Sequence, residues 1–188
     1  LGTLRTLINT IEAKDNYTKA HSQRVTQYAS SIAYHLGLAE EQIEIIRFAG
    51  FLHDIGKIGI RDTILLKTGS LTDEEYQIIK THPVIGESII SPLGFLPQER
   101  EIIKYHHERW DGNGYPDGLS GEKIPFLARI VAVADAFDAI TSDRPYRKSK
   151  STQEAIEELR RGINSHFDGV PVNAFISCLE NKSISMKK

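Results

Sequence analysis

Five histidines and two aspartates, Asp54 and Asp135, are of types that hold metal ions, and their spacing in this 188-residue sequence turns them inward. His21 lies four residues before Val25 and seven before Tyr28, so it shares the apolar face of its helix. His53 follows Ala49 by four, and Asp54 comes directly after it. His82 is in register with Ile78, Ile85 and Ile89. His106 and His107 follow Ile102 and Ile103 at i+4. Asp135 is in register with Leu127 and Val131, and Asp138 lies three further on. A lone inward histidine is ordinarily a hydrogen-bonded core residue, and a lone inward aspartate a cap or half of a buried pair. Buried one by one, five histidines and two aspartates would carry large desolvation penalties. A shared divalent cation removes them. Imidazole and carboxylate suit Zn, Mn, Fe, Co or Ni, and the lack of thiolates argues against a structural zinc site. Seven donors exceed the six of one octahedral ion, so two ions sharing a carboxylate are expected. Two ions about 3.5–4 Å apart can activate water and clamp a phosphoryl group during in-line displacement.

Cations stand near these donors. Lys57 lies three residues after Asp54 on a glycine-punctuated turn, from which it can reach an anion bound at the metals. Arg144 and Arg147 bracket Pro145-Tyr146 just past the Asp135 helix, and guanidinium forks suit phosphate oxygens. The plain alternative for all three is a surface cation paired with nearby Glu or Asp. His35 fits a helix C-terminus, where a partly positive ring suits the dipole. His166 falls between helices and reads as structural. Trp110 reads as the anchor of its loop.

The elements that must position these residues are helical. Residues 2–14 carry a narrow apolar stripe (Leu4, Leu7, Ile8, Ile11) that would serve a packing helix or the end of an upstream coiled coil, and with it a homodimer. Thr18 begins a helix closed by Gly37. Further helices are expected over 39–54, from the Thr72–Glu75 capping box onward, and over 98–108, 126–142, 152–164 and 171–180. No segment alternates with period two, so the fold class is all-α. Glycines break the pattern at 55–70 and in WDGNGYPDGLSG, residues 110–121, and long ordered loops are commonly functional.

The composition narrows the classes. Twenty-three Lys+Arg against 25 Asp+Glu, net charge -2, argues against broad nucleic-acid or anionic-membrane binding. The single cysteine, Cys178, excludes an intrachain disulfide framework and fits a reducing, cytoplasmic setting. No apolar run approaches the ~18 residues of a membrane span. Leu1 is not a natural start, so the chain is read as a piece of a longer protein.

His53-Asp54 with Ile55-Gly56-Lys57, then His106-His107-Glu108, Gly114-Tyr115-Pro116, Asp135-Ala136-Phe137-Asp138 and Asp143-Arg144-Pro145-Tyr146-Arg147 together resemble an HD-GYP domain, a subgroup of the HD metal-dependent phosphohydrolases. The resemblance runs from about Asp15 to about Phe175, so residues 15–188 are taken as the phosphohydrolase domain and 1–14 as an N-terminal helix. It implies an HD-domain helical bundle with a Gly-rich GYP loop. It implies a dinuclear or trinuclear centre, iron or manganese favoured, and phosphodiesterase activity on cyclic di-GMP, giving linear pGpG and often GMP. By similarity, His21, His53, Asp54 and Asp135 would hold one metal, and Asp54, His82, His106 and His107 the other. Asp54 and Lys57 would act in catalysis. Lys57, Arg144 and Arg147 match positions that contact substrate phosphate, and Asp138 a second-shell or substrate-side aspartate. Trinuclear members carry a glutamate four residues before the first histidine. Tyr17 stands there and keeps its proton at neutral pH, so two ions are expected. The GYP loop would serve contacts with GGDEF domains, and a sensor or receiver domain would lie upstream. Other readings are a cyclic di-GMP receptor without turnover, a hydrolase of another phosphoester such as cyclic GMP-AMP, and an interaction module using residues 1–14.

Overall fold

The computed structural model describes residues 18–94, 97–143 and 148–181. The helix expected over 2–14, Tyr17, Arg144 and Arg147 lie outside the described residues. Within these, helices carry the architecture and no strand forms: α1 is Thr18–His35, α2 Glu40–Leu52, α3 Asp62–Leu65, α4 Asp73–Ile79, α5 His82–Ile90, α6 Pro97–Tyr105, α7 Phe126–Thr141, α8 Thr152–Arg161 and α9 Gly169–Glu180. A 3-10 turn, Ile55–Gly59, joins α2 to α3.

The core forms where α1 packs on α2, α7 and α9. Val25, Ala29, Ile32, Ile46, Val131, Phe137 and Phe175 are fully buried there, and Tyr28, Phe137 and Phe175 meet ring to ring at 4.8–5.6 Å. A second cluster, Leu52, Ile55, Ile90 and Ile103, ties α2, the 3-10 turn, α5 and α6 together. Catalytic candidates lie at the seam between these two clusters, so both must pack before the site exists. Local signals act as the sequence leads one to expect. Gly37 caps α1 with φ +69°. Thr72 and Glu75 form a reciprocal capping box, the Thr72 hydroxyl accepting from the Glu75 amide at 3.2 Å and the Glu75 carboxylate from the Thr72 amide at 2.8 Å.

Three expectations are corrected. The helix expected over 39–54 ends at Leu52, leaving His53 at its C-cap and Asp54 in the following turn. The segment 55–70, read as a glycine-broken loop, holds the 3-10 turn and α3. The register that aligned His82 with Ile78 does not hold, because the chain breaks at Lys80-Thr81 and a new helix begins at His82. Pro83 is the cause. It lacks an amide and restricts the residue before it, so it starts a helix but does not continue one. Ile78 accordingly stays exposed while His82 is buried.

Candidate metal centre and its cavity

Three helix ends place three of the histidines. His53 Nδ1 lies 2.7 Å from the Gly50 carbonyl, His82 Nδ1 2.8 Å from that of Ile79, and His106 Nδ1 2.9 Å from that of Ile103. Each acceptor is among the last four carbonyls of α2, α4 or α6, groups that a helix leaves without an intrahelical partner. A carbonyl can only accept, so each ring donates from Nδ1 and, as a neutral imidazole, presents its Nε2 lone pair on the other side.

Those Nε2 atoms converge on Asp54. The His82 Nε2 stands 3.3 Å from Asp54 Oδ1, and the His53 Nε2 3.4 Å from Oδ2. The Nε2 atoms of His53, His82 and His106 are buried and make no hydrogen bond. Lone pairs facing lone pairs in a low-dielectric interior need a cation between them. The approach of His82 to Asp54 is set by Gly56, whose position would put a Cβ 1.8 Å from the His82 carbonyl oxygen. Only glycine lets the turn after Asp54 lie against the start of α5.

The donors form two groups sharing Asp54. In one, His21, His53 and Asp54 bring a ligand atom each within 4.8 Å of one another; in the other, Asp54, His82, His106 and His107 do the same. Asp135, half-buried on α7, lies beside the first group, with Oδ1 3.4 Å from His21 Nε2. His106 and His107 rings meet at 4.1 Å, and those of His82 and His107 at 5.0 Å. All seven residues singled out from the sequence are therefore brought together, and the donor set fits divalent cations. Lys57 reaches the same place, with Nζ 2.6 Å from Asp54 Oδ2.

Electrostatics divide the site. Burial lowers the pKa of His82, and burial with the neighbouring histidines takes His106 well below its ordinary value. Burial, then His82, brings His107 down to about 3. Burial pushes His21 down as well, but Asp138, Asp54 and Asp135 together lift it to about 9. Asp54, which burial alone would raise, is held well below the usual carboxylate range by Lys57 and His53.

Asp138 is not at the cavity. It is fully buried behind His21, with Oδ2 2.7 Å from His21 Nδ1, and Arg24 holds it from the other side. Of the two roles the resemblance allowed, this placement fits support of His21 and corrects the substrate contact. Glu108, not given a role from the sequence, is buried and accepts from the amides of Asp117 at 2.8 Å and Leu119 at 3.0 Å. It thereby pins the glycine-rich loop, which also returns the Tyr115 amide to the His107 carbonyl at 3.2 Å. Tyr115 stacks on His107 at 4.8 Å. His166 meets Arg109 at 3.0 Å, its carbonyl takes the Trp110 amide, and Trp110 in turn lies against Arg129. His35 ends α1 and is exposed.

The candidate metal-binding residues open onto a cavity of about 690 Å³ whose lining includes His106, His107, Asp135, Tyr115, Lys80 and Arg109. A larger groove, about 890 Å³, lies between α2 and the start of α6 beside Arg47, Phe48 and Phe51, and none of the ligand residues reaches it. Among the described residues no helix is long and apolar enough to cross a membrane.

Residues 5–170 match the HD domain family. The chain belongs to that family, in its HD-GYP branch. This HD domain is 45% identical over 176 residues to the cyclic di-GMP phosphodiesterase response regulator RpfG of Xanthomonas campestris, covering 93% of this chain and 47% of that protein. It is 46% identical over 167 residues to a cyclic di-GMP phosphodiesterase of Thermotoga maritima, 88% of this chain and 45% of the relative. A 3'3'-cGAMP-specific phosphodiesterase 2 of Vibrio cholerae is 40% identical over 164 residues, 86% of this chain and 31% of the relative. The HD domain thus spans less than half the length of these curated relatives. The fold is shared with Bd1817, an HDG"Y"P protein of Bdellovibrio bacteriovorus, at TM-score 0.71 and 21% identity, over 87% of this chain and 52% of that one.

Proposed function

We propose that this HD domain is the catalytic part of a metal-dependent phosphodiesterase that opens cyclic di-GMP to linear pGpG within a longer signalling protein. One observation carries the reading: the two oxygens of Asp54 face different imidazoles, Oδ2 the Nε2 of His53 at 3.4 Å and Oδ1 that of His82 at 3.3 Å, and both nitrogens are buried without a hydrogen bond. That is a donor arrangement for two ions, with His21, His53, Asp54 and Asp135 on one side and Asp54, His82, His106 and His107 on the other. Iron or manganese are the ions favoured. Two such ions supply Lewis acidity at a phosphoryl group and acidify a water. The chain's own part is to fix the donors, to turn the Nε2 atoms of His53, His82 and His106 inward, and to bring Lys57 to the phosphoryl oxygens as charge develops there. Arg144 and Arg147 would add phosphate contacts from beyond the described residues.

The names of the relatives at 45–46% identity favour cyclic di-GMP. A second reading, 3'3'-cGAMP, is favoured by the relative at 40% identity. The GYP loop would dock GGDEF-domain partners, residues 1–14 would continue into an upstream sensor or receiver domain or a homodimer contact, and the setting would be cytoplasmic. The test is turnover of cyclic di-GMP and 3'3'-cGAMP side by side, with Mn or Fe supplied and products identified. The parent should convert cyclic di-GMP faster, and His53→Ala and Asp54→Ala should abolish it. Equal rates in parent and variants would end the assignment.

A further inference from the structure

Among the described residues, Arg109, the other lysine or arginine lining the cavity, and two cations near the site are neutralised within the protein. Lys57 pairs with Asp54, Arg109 with Asp111, and Lys104 with Asp117. Lys80 differs. Its half-buried side chain lines the cavity, and among the described residues it meets no carboxylate. Its ammonium rests instead on two aromatic faces, 4.8 Å from the Tyr76 centroid and 5.5 Å from that of Tyr115. Tyr115 is the ring that stacks on His107, so the ammonium stands one aromatic ring away from a metal ligand.

A lysine at the C-cap of α4 has an ordinary explanation in the helix dipole. That explains the residue type at the position. It does not explain an ammonium laid over the face of Tyr115 at the cavity. Cation–π contacts of this exposure are worth about 0.5–1 kcal/mol. They aim the charge without quenching it, so an arriving anion meets a pre-placed, available cation.

We propose that Lys80 binds the second phosphate of a two-phosphate substrate, the one that is not cleaved. The inference rests on the cyclic dinucleotide reading above and deepens it. A cyclic dinucleotide carries two phosphodiesters one nucleotide apart. When one lies over Asp54 and Lys57, the closed ring holds the other at fixed reach across the cavity. Lys80 is the charge waiting on the Tyr115 side. A substrate with a single phosphodiester has nothing to offer it.

The test compares cyclic di-GMP with bis(p-nitrophenyl) phosphate, which has one phosphate, on the metal-loaded parent, Lys80→Met and Lys80→Arg. Lys80→Met keeps the apolar stem and removes the charge. Its KM for cyclic di-GMP should rise roughly ten- to a hundredfold, as for loss of a charge-assisted contact, with a shallower salt dependence. Its kcat/KM for bis(p-nitrophenyl) phosphate and its metal content should match the parent, and Lys80→Arg should recover most of the KM. Unchanged KM for cyclic di-GMP, or an equal loss on both substrates, overturns the assignment while leaving the phosphodiesterase reading in place. A parent that cleaves bis(p-nitrophenyl) phosphate and leaves cyclic di-GMP intact brings down the substrate reading, and Lys80's role with it.

Discussion

The Nδ1 of His21 lies 2.7 Å from Oδ2 of Asp138, a buried carboxylate where His53, His82 and His106 have backbone carbonyls. Arg24 donates to both oxygens of Asp138, at 2.5 and 2.9 Å, so the carboxylate cannot rotate away. An anionic partner makes His21 the more basic donor and sets its half of the centre apart from the other. Asp138→Asn keeps the shape and removes the charge. It should weaken metal binding about 10- to 100-fold, the range typical of such outer partners. Titration against a competing chelator reads this directly. With two ions bound, as proposed above, the loss should fall on one of them, and equal weakening of both would count against the asymmetry.

Gly56 sets the crossing of the turn after Asp54 over α5, and a Cβ there would meet the His82 carbonyl oxygen at 1.8 Å and the Gly86 amide nitrogen at 2.6 Å. Both obstacles are backbone, so neither can swing aside. Gly56→Ala should cost about 2 kcal/mol or more, measured by urea denaturation, and should lower metal content because Asp54 and His82 are pushed apart. A variant as stable as the parent would mean that the two segments separate freely.

Register arithmetic picks out the clustered histidines and aspartates, while helix ends decide how their rings are held. His21 and Asp135 sit on faces that the spacing of Val25, Tyr28, Leu127 and Val131 identifies. His82 was found through a register with Ile78 that Pro83 breaks; it is buried because it opens α5, not because it continues α4. Asp138 shares a helix with Asp135, but three residues turn it about 60° aside, enough to put it behind His21 and away from the cavity. Hydrogen bonds from Nδ1 to Gly50, Ile79 and Ile103 depend on where three helices stop, and helix ends are what patterning locates least well. Glu108 stood in plain view beside His107, yet its partners, the amides of Asp117 and Leu119, are set by how the loop folds back.

That fold-back makes Glu108 a latch. Its two carboxylate oxygens hold the amides of Asp117 and Leu119, and Gly114 packs so closely that a Cβ would fall 2.3 Å from the Arg109 amide nitrogen. Glu108→Ala leaves two donors unmatched and should cost about 1–3 kcal/mol. The signature is local: amide hydrogen exchange at Asp117 and Leu119 should accelerate well beyond that in α1 and α7. Uniform acceleration across the chain would instead indicate a global loss of stability.

Opposed histidine shifts give the metal-free protein a stability maximum near neutral pH. His107, lowered from 6.5 to about 3 by burial and by His82, stays neutral when folded, whereas the unfolded chain protonates it below 6.5. Between those values the unfolded state binds more protons, so stability falls as pH drops, by about 1.4 kcal/mol per pH unit for a group of this kind. His82 and His106, shifted in the same direction, add to the slope, and Asp54 joins only below its ordinary carboxylate range, where its loss of charge abandons Lys57. His21 works the other way. Raised to about 9, it binds its proton more tightly when folded, so its contribution is full below 6.5 and is lost as pH climbs to 9. Thermal melts in excess chelator from pH 4 to 10 should therefore peak near pH 6.5 and decline on both sides. Asp138→Asn should flatten the alkaline limb and leave the acid limb, since among the histidines only His21 loses an anionic partner. A metal-free profile that rises steadily through pH 9 would show that His21 does not carry the proton that its three aspartates would hold.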